Sequence, residues 1–358
     1  MSGLTRREMA ALGAAAAMSP LLHTRTLAAP PAAPRPEDLL DHVDPELRPA
    51  AREFLEMVKN YPPLSKAGIA AMRGVSAGWG KPPSPDVPVT RQRIAGKKGE
   101  PEVLVYIVNA KPDAARAGVL HTHGGGFILG TAAAGINELQ TLASDIDAVI
   151  VTVEYRLAPE ATYAGSIEDN YAALKWMYAH AAEIGVDRRK IAVAGESAGG
   201  GHAALLAITA RDRGEVPIMF QSLVYPMLDD RTGSTRRVVP HIGTLVWTPA
   251  LNRLGWESFL GQRPGTPSVP AKAVPARTAN LAGLPPAWIG VGSIDLFVEE
   301  DIEYAERLVR AGTPTELLVV PGAFHGFDVM APDSTPAKRF TAARVDALRC
   351  AFANVRTA

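Results

Sequence analysis

Residues 190–210 read as a strand, a sharp turn and a helix in immediate succession. Lys190-Ile191-Ala192-Val193-Ala194 is short and, after its first residue, apolar, as a buried strand is. Gly195-Glu196-Ser197-Ala198-Gly199 follows, then alanine-rich sequence from Ala203 to Ala210. A Gly-x-Ser-x-Gly turn between strand and helix is strained, and its glycines admit a backbone path that a Cβ would obstruct. Such a turn lifts the serine hydroxyl to the top of a sheet, so Ser197 is the candidate nucleophile. A strand on one side and a helix on the other also limit the fold to an open sheet with helices packed over it.

The rest of the chain repeats that alternation. Apolar runs predict strands at Val103–Val108, Gly118–His121, Ala148–Val153, Lys190–Ala194, Ile218–Tyr225, Ala287–Val291 and Glu316–Val320. Helices are expected at Ile136–Asp145, Ser166–Ala182, Ala198–Asp212, Glu299–Ala311 and Ala337–Asn354. Near-continuous apolar strands separated by helices predict an α/β fold with a mostly parallel sheet, covered on both faces. Between Asp229 and Pro275 the alternation lapses into prolines, glycines and Trp247, Leu251, Leu254 and Trp256, which predicts a helical insertion. Residues 37–88 read as a helical N-terminal segment with proline breaks, where Leu47, Ala51, Phe54, Leu55 and Val58 recur at helical spacing. The two stretches together predict a cap, and residues 89–358 hold the catalytic domain.

Composition narrows the partners. Lysine plus arginine equals aspartate plus glutamate at 37 each, and no basic stripe marks a nucleic-acid surface. Cys350 is the only cysteine, so no internal disulfide forms; its helical surroundings predict a buried structural thiol. At the N-terminus, Thr5-Arg6-Arg7 precedes an apolar run from Met9 to Leu22, then Thr26-Leu27-Ala28 and a Pro/Ala linker over 29–36. This resembles a twin-arginine export signal over residues 1–28, with cleavage after Ala28 and a periplasmic product. The run is too short and too weakly apolar for a membrane span. A cytoplasmic enzyme with a frayed first helix is the alternative.

Two further segments complete a chemistry around Ser197. His123-Gly124-Gly125-Gly126-Phe127 follows a strand, and consecutive glycines let bare N–H groups converge on one point. Acyl transfer needs such donors, because its tetrahedral intermediate carries negative charge on the former carbonyl oxygen. The N–H of Ala198, just after the nucleophile, is a further donor. His325 stands on a loop directly after the strand Glu316–Val320, where open α/β sheets bind ligands. It is the candidate base. His121 within a strand, His202 on the following helix and His180 are weaker rivals. The His121-x-His123 spacing suits a metal, yet no third ligand stands near, so no metal is expected. Asp295 follows the strand Ala287–Val291 and is the candidate acid. Glu299, Glu300 and Asp301 open a helix, where the dipole alone accounts for acids. The order Ser197, Asp295, His325 is nucleophile, acid, base.

With these residues in view, the chain resembles the hormone-sensitive-lipase family, the bacterial family IV esterases of the α/β-hydrolase fold. The resemblance rests on His123–Phe127, Tyr155–Glu160, Gly195–Gly200, Tyr225–Arg231, Gly283–Pro286, Asp295 and His325-Gly326-Phe327. It implies a serine carboxylesterase acting on a small-molecule ester, with a helical cap, no cofactor, and Gly125 and Gly126 sharing the oxyanion hole with Ala198. Two departures stand out. Glu196 occupies a position usually held by Asp or Thr, and is expected to brace the Gly124–Gly126 loop. Leu296 follows Asp295 where proline is common. Tyr155–Glu160 is expected to be a bracing turn. Phe127, Trp247 and Phe297, with Trp79 and Trp256 in the cap, are expected to narrow the pocket to short acyl chains. Acyl transfer to an alcohol is the alternative activity. A non-catalytic binding module is disfavoured by the presence of His325. The oligomeric state is not legible, a homodimer being one admissible assembly.

Overall fold

The computed structural model describes residues 39–60, 64–76, 78, 80–112 and 114–354. The expected export signal, the linker and Trp79 lie outside them.

Eight strands form one sheet: β1 (Val89–Ile94), β2 (Val103–Val108), β3 (Arg116–Thr122), β4 (Ala148–Glu154), β5 (Val186–Glu196), β6 (Phe220–Val224), β7 (Ala287–Gly292) and β8 (Thr315–Val320). Their spatial order is β1-β2-β4-β3-β5-β6-β7-β8. β1 and β2, and β2 and β4, pair antiparallel; every other pairing is parallel. All seven expected strands are present. β1 is the one missed, because Val-Thr-Arg-Gln-Arg-Ile shows water four consecutive exposed residues and buries only Ile94. An edge strand of that kind carries no apolar run to read.

Helices cover both faces. They are α1 (Arg48–Val58), α2 (Ile69–Ser76), α3 (Ile136–Asp145), α4 (Tyr163–Ala179), α5 (Ala181–Ile184), α6 (Ala198–Arg213), α7 (Pro249–Leu260), α8 (Val298–Arg310), α9 (Phe327–Met330) and α10 (Thr335–Ala353). On one face α4, α6 and α8 pack Leu174, Met177, Leu206 and Leu308 onto Leu120, Val151, Val193 and Ile289. On the other, α1, α3 and α10 pack Ala51, Leu142, Phe340 and Leu348 onto Val119, Ile150, Ala194 and Val291. Strand residues two apart share a face, so the alternation along β4 and β5 divides these cores. Burying each of the larger side chains among these is worth about 1.5–3 kcal/mol.

A third cluster sits between the sheet and the cap, where Trp247, Trp256 and Phe259 meet Phe127, Met227 and Phe297. The 229–275 insertion is mostly irregular, with α7 its longest helix. Of the described residues within 37–88, expected to be cap throughout, only Leu64, Ile69 and Met72 join this cluster, because Val43, Leu47 and Ala51 bury against the sheet instead. Thr248 caps α7 by accepting from the Leu251 N–H, Pro249 starts it, and Gly261 ends it in a left-handed conformation. Cys350 is exposed rather than buried. α10 turns Val345, Leu348 and Phe352 inward, and a residue two past Leu348 falls on the outer side of that helix.

Candidate active site

The C-terminal ends of β5, β3, β7 and β8 deliver the four segments of interest to one edge of the sheet. β5 runs out into Ser197, which adopts φ 57° and ψ −123° before α6 begins. That left-handed conformation costs a non-glycine residue energy, and its surroundings hold it. The Ser197 N–H donates to Val224 O at 2.9 Å, and Ser197 O accepts from Met227 N and Gly201 N. Thr122 donates its hydroxyl to Gly199 O, tying β3 to the start of α6.

Ser197, His325 and Asp295 come together as the sequence predicts. Ser197 Oγ lies 3.0 Å from His325 Nε2, and His325 Nδ1 lies 2.8 Å from Asp295 Oδ2. All three are buried. A carboxylate only accepts, so Nδ1 carries the proton and Nε2 is left to accept from the serine hydroxyl. Asp295 Oδ1 accepts from Phe297 N at 2.9 Å, which fixes the carboxylate in place. The acid and base loops are also joined through their backbones. Ser293 N donates to Val320 O, Ile294 N donates to Ala323 O, and Gly322 N donates to Ser293 Oγ. An open groove of about 730 Å3 beside Lys97, Lys175 and Arg213 lies elsewhere and contains none of these residues.

The glycine segment passes beside the serine. Among the described residues, the N–H groups of Gly125 and Gly126 have no acceptor. Ala198 opens α6, so its N–H has no partner four residues back. Gly125 sits at φ +123° and a Cβ there would strike Leu129 O; a Cβ on Gly126 would strike the Trp247 ring. The loop is held from outside. Gly125 O accepts from Ile128 N and Leu129 N, and Phe127 O accepts from Ala158 N. Tyr155 donates its hydroxyl to His123 O at 2.7 Å. Arg73 of α2 donates to Ile128 O and Ala158 O and pairs with Glu160 at 2.8 Å. The 155–160 turn is therefore a brace, as expected.

Three readings change. Glu196 does not reach the glycine loop with its side chain. Its carboxylate takes His121 Nε2 and the Arg344 guanidinium, each at 2.8 Å. Burial alone would raise this carboxyl; the charges of His121 and Arg344 outweigh it and hold it down at about 2. Glu300 and Asp301 stand in the first turn of α8, as expected, but the helix dipole alone does not account for them. Both are buried. Glu300 Oε1 accepts from Leu228 N and Asp229 N. Both Asp301 oxygens lack a partner among the described residues. Burial, then the charges of Glu300 and Asp295, push the Asp301 carboxyl well above its ordinary range. Phe127 stacks on Phe259 at 3.9 Å and meets Trp256 and His202 edge-on, so it fastens the cap to the sheet domain.

Trp247 lies beside the glycine loop and Phe297 beside His325. The Trp247 ring abuts Gly126, while its Nε1–H donates to Asn252 Oδ1 at 3.1 Å. Phe297 sets its edge against the His325 ring at 5.3 Å. His121 and His123 spend ring nitrogens on Thr152, Glu196 and Gly124 O. Burial lowers His123 to about 4 and His202 to about 3, so neither is a neutral-pH base. Arg344 was not singled out in the sequence; nothing local marks an arginine in the last helix as a partner of residue 196.

A model of the α/β-hydrolase fold family matches residues 119–329. The chain belongs to the α/β hydrolases, in their hormone-sensitive-lipase-like branch. It is 37% identical over 252 residues to the esterase LipI of Mycobacterium tuberculosis, covering 69% of this chain and 77% of that protein. It is 38% identical over 215 residues to the carboxylesterase NlhH of the same species, covering 58% of this chain and 66% of that protein. Among solved structures, a bacterial heroin esterase superposes with a TM-score of 0.76 at 35% identity, covering 87% of this chain and 99% of that one. The esterase LipW from Mycobacterium marinum gives 0.71 at 34%, covering 87% and 97%. These α/β-hydrolase relatives bear out the carboxylic-ester-hydrolase class and favour it over acyl transfer.

Proposed function

We propose that the protein is a serine carboxylesterase for esters of short acyl chains, with Ser197 as nucleophile, His325 as base and Asp295 as the acid that orients it. The observation that carries this is the unbroken chain of hydrogen bonds from Ser197 Oγ through His325 to Asp295. Ser197 Oγ attacks the ester carbonyl while His325 Nε2 takes its proton. The carbonyl π electrons move to oxygen, and that oxyanion accepts from Gly125, Gly126 and Ala198 N–H. Each such donor is worth about 3–4 kcal/mol in the transition state. The imidazolium, steadied by Asp295, returns the proton to the departing alcohol. Water then enters, His325 takes its proton, hydroxide attacks the acyl carbon, and Ser197 leaves reprotonated with the carboxylic acid free.

Ser197→Ala should remove ester hydrolysis by several orders of magnitude while the fold survives. An organophosphonate should label Ser197 and no other residue. A loss smaller than about tenfold would overturn the nucleophile assignment. The acyl preference is supported by Trp247 against Gly126 and Phe297 against His325, two bulky walls at the reacting centre. Across nitrophenyl esters from acetate to palmitate, kcat/KM should peak at about two to six carbons. A maximum beyond about ten carbons, or a jump in rate once the substrate aggregates, would show that these walls do not close the site. We extend the proposal to export: Arg6-Arg7 and the apolar run after it support passage through a twin-arginine route to the periplasm.

A further inference from the structure

The last helix reaches the floor of the active site through one side chain. Phe340, Arg344 and Leu348 are spaced by four along α10, so they share the face turned to the sheet. Phe340 and Leu348 are buried there. Arg344 between them carries a charge into the same layer, with its side chain 13% exposed. An arginine in that place needs partners, and it has two. One guanidinium nitrogen donates to Glu196 Oε1 at 2.8 Å, and Nε donates to Ser222 Oγ of β6 at 3.3 Å. From the other side His121 Nε2 meets Glu196 Oε2 at 2.8 Å, and His121 Nδ1 lies 2.9 Å from Thr152 Oγ1. Four strands and the last helix therefore converge on the carboxylate of the residue before Ser197.

We propose that Arg344 is a positioning residue for the nucleophile: by gripping Glu196 against His121 it fixes the turn that aims the Ser197 hydroxyl at His325. The inference rests on the reading of Ser197 as nucleophile. Ser197 sits at a left-handed φ of 57° that a serine does not hold unaided. Its own backbone is bonded to Val224, Gly201 and Met227, and the side chain of Glu196, one residue before it, adds a restraint on the turn from the other end. The guanidinium fork divides between Glu196 and Ser222, so its rigid plane sets the direction from which the carboxylate is held. Burial raises the carboxyl of Asp328 above its ordinary range, and the Tyr225 Oη–H that it accepts at 3.0 Å, then the Arg344 charge, oppose that rise. The Tyr225 ring packs against His325 at 4.6 Å.

The test uses the full chain and a short nitrophenyl ester. Arg344→Met keeps the length of the side chain and removes the grip. We expect kcat to fall by about tenfold to a hundredfold with KM changed less than about twofold, because the loss is in alignment and not in binding. The rate of covalent inactivation by a nitrophenyl phosphonate should fall in parallel, since that step also needs an aimed Ser197. Arg344→Lys, which keeps the charge without the fork, should recover part of the loss. Because Arg344 acts through Glu196, adding Arg344→Met to Glu196→Gln should cost little beyond Glu196→Gln alone. An unchanged kcat in Arg344→Met, a rise confined to KM, or losses that multiply in the double variant would overturn the proposal. If Arg344→Met does not fold, an Arg344→Lys enzyme of wild-type kcat and inactivation rate would overturn the claim for the fork. Failure of the nucleophile reading is distinguishable: Ser197→Ala would then still turn over and the phosphonate would not label it.

Discussion

At the scale of single residues, the distinction that matters is between the two carboxylates near Ser197. Asp295 touches His325; Glu196 touches His121 and Arg344 and stays away from the imidazole. Asp295→Asn should therefore lower kcat by about four orders of magnitude, because the wrong tautomer is then favoured. Glu196→Gln should be much milder, since the amide still offers one acceptor to Arg344. Steady-state rates of the two purified variants decide it, and equal losses would merge the roles. Ser197 itself was legible because its glycines and flanking strand are contiguous in sequence. The partners of Glu196 were not, because β3 brings His121 from 75 residues away and α10 brings Arg344 from 148. A side chain's neighbours in three dimensions leave no mark in a window of ten residues.

At the scale of elements, the strands buried on both faces were readable and the exposed β1 was not, for the reason that burial is what writes apolar runs. Helix α8 shows the opposite failure. The dipole alone accounts for acids at a helix start, yet the first turn of α8 also carries Glu300 and Asp301 inward, where both are buried. Such a group binds its proton more tightly folded than unfolded. Its contribution is present at low pH and fades as pH rises through the raised folded value. Asp301→Asn removes a buried ionisable group whose charged form is disfavoured by burial and then by Glu300 and Asp295. The variant should therefore gain thermal stability over the parent at pH 8 and gain little at pH 5. Unfolding scans at both values measure it, and equal shifts at the two would rule out titration of Asp301 as the cause.

At the scale of the whole molecule, the sheet order puts the loops after β3, β5, β7 and β8 along one edge, and the cap lies across that edge. The export reading belongs at this scale too. In a bacterium with a working twin-arginine pathway, cell fractionation should find the protein outside the cytoplasm without its first residues. Changing Arg6 and Arg7 to lysine should retain it inside, and a mature chain starting at Met1 or Ser2 would refute export. The cap raises a different matter. Gly255 of α7 lies so close to the oxyanion loop that a Cβ there would stand 2.6 Å from Gly126 O, and Trp247 abuts the same glycine. Transplanting a cap from one relative to another is an obvious way to alter which esters are accepted. Here such a chimera would import a new wall for the oxyanion hole along with the new pocket. Substrate range and turnover would then change together, and selectivity could not be tuned by cap exchange alone.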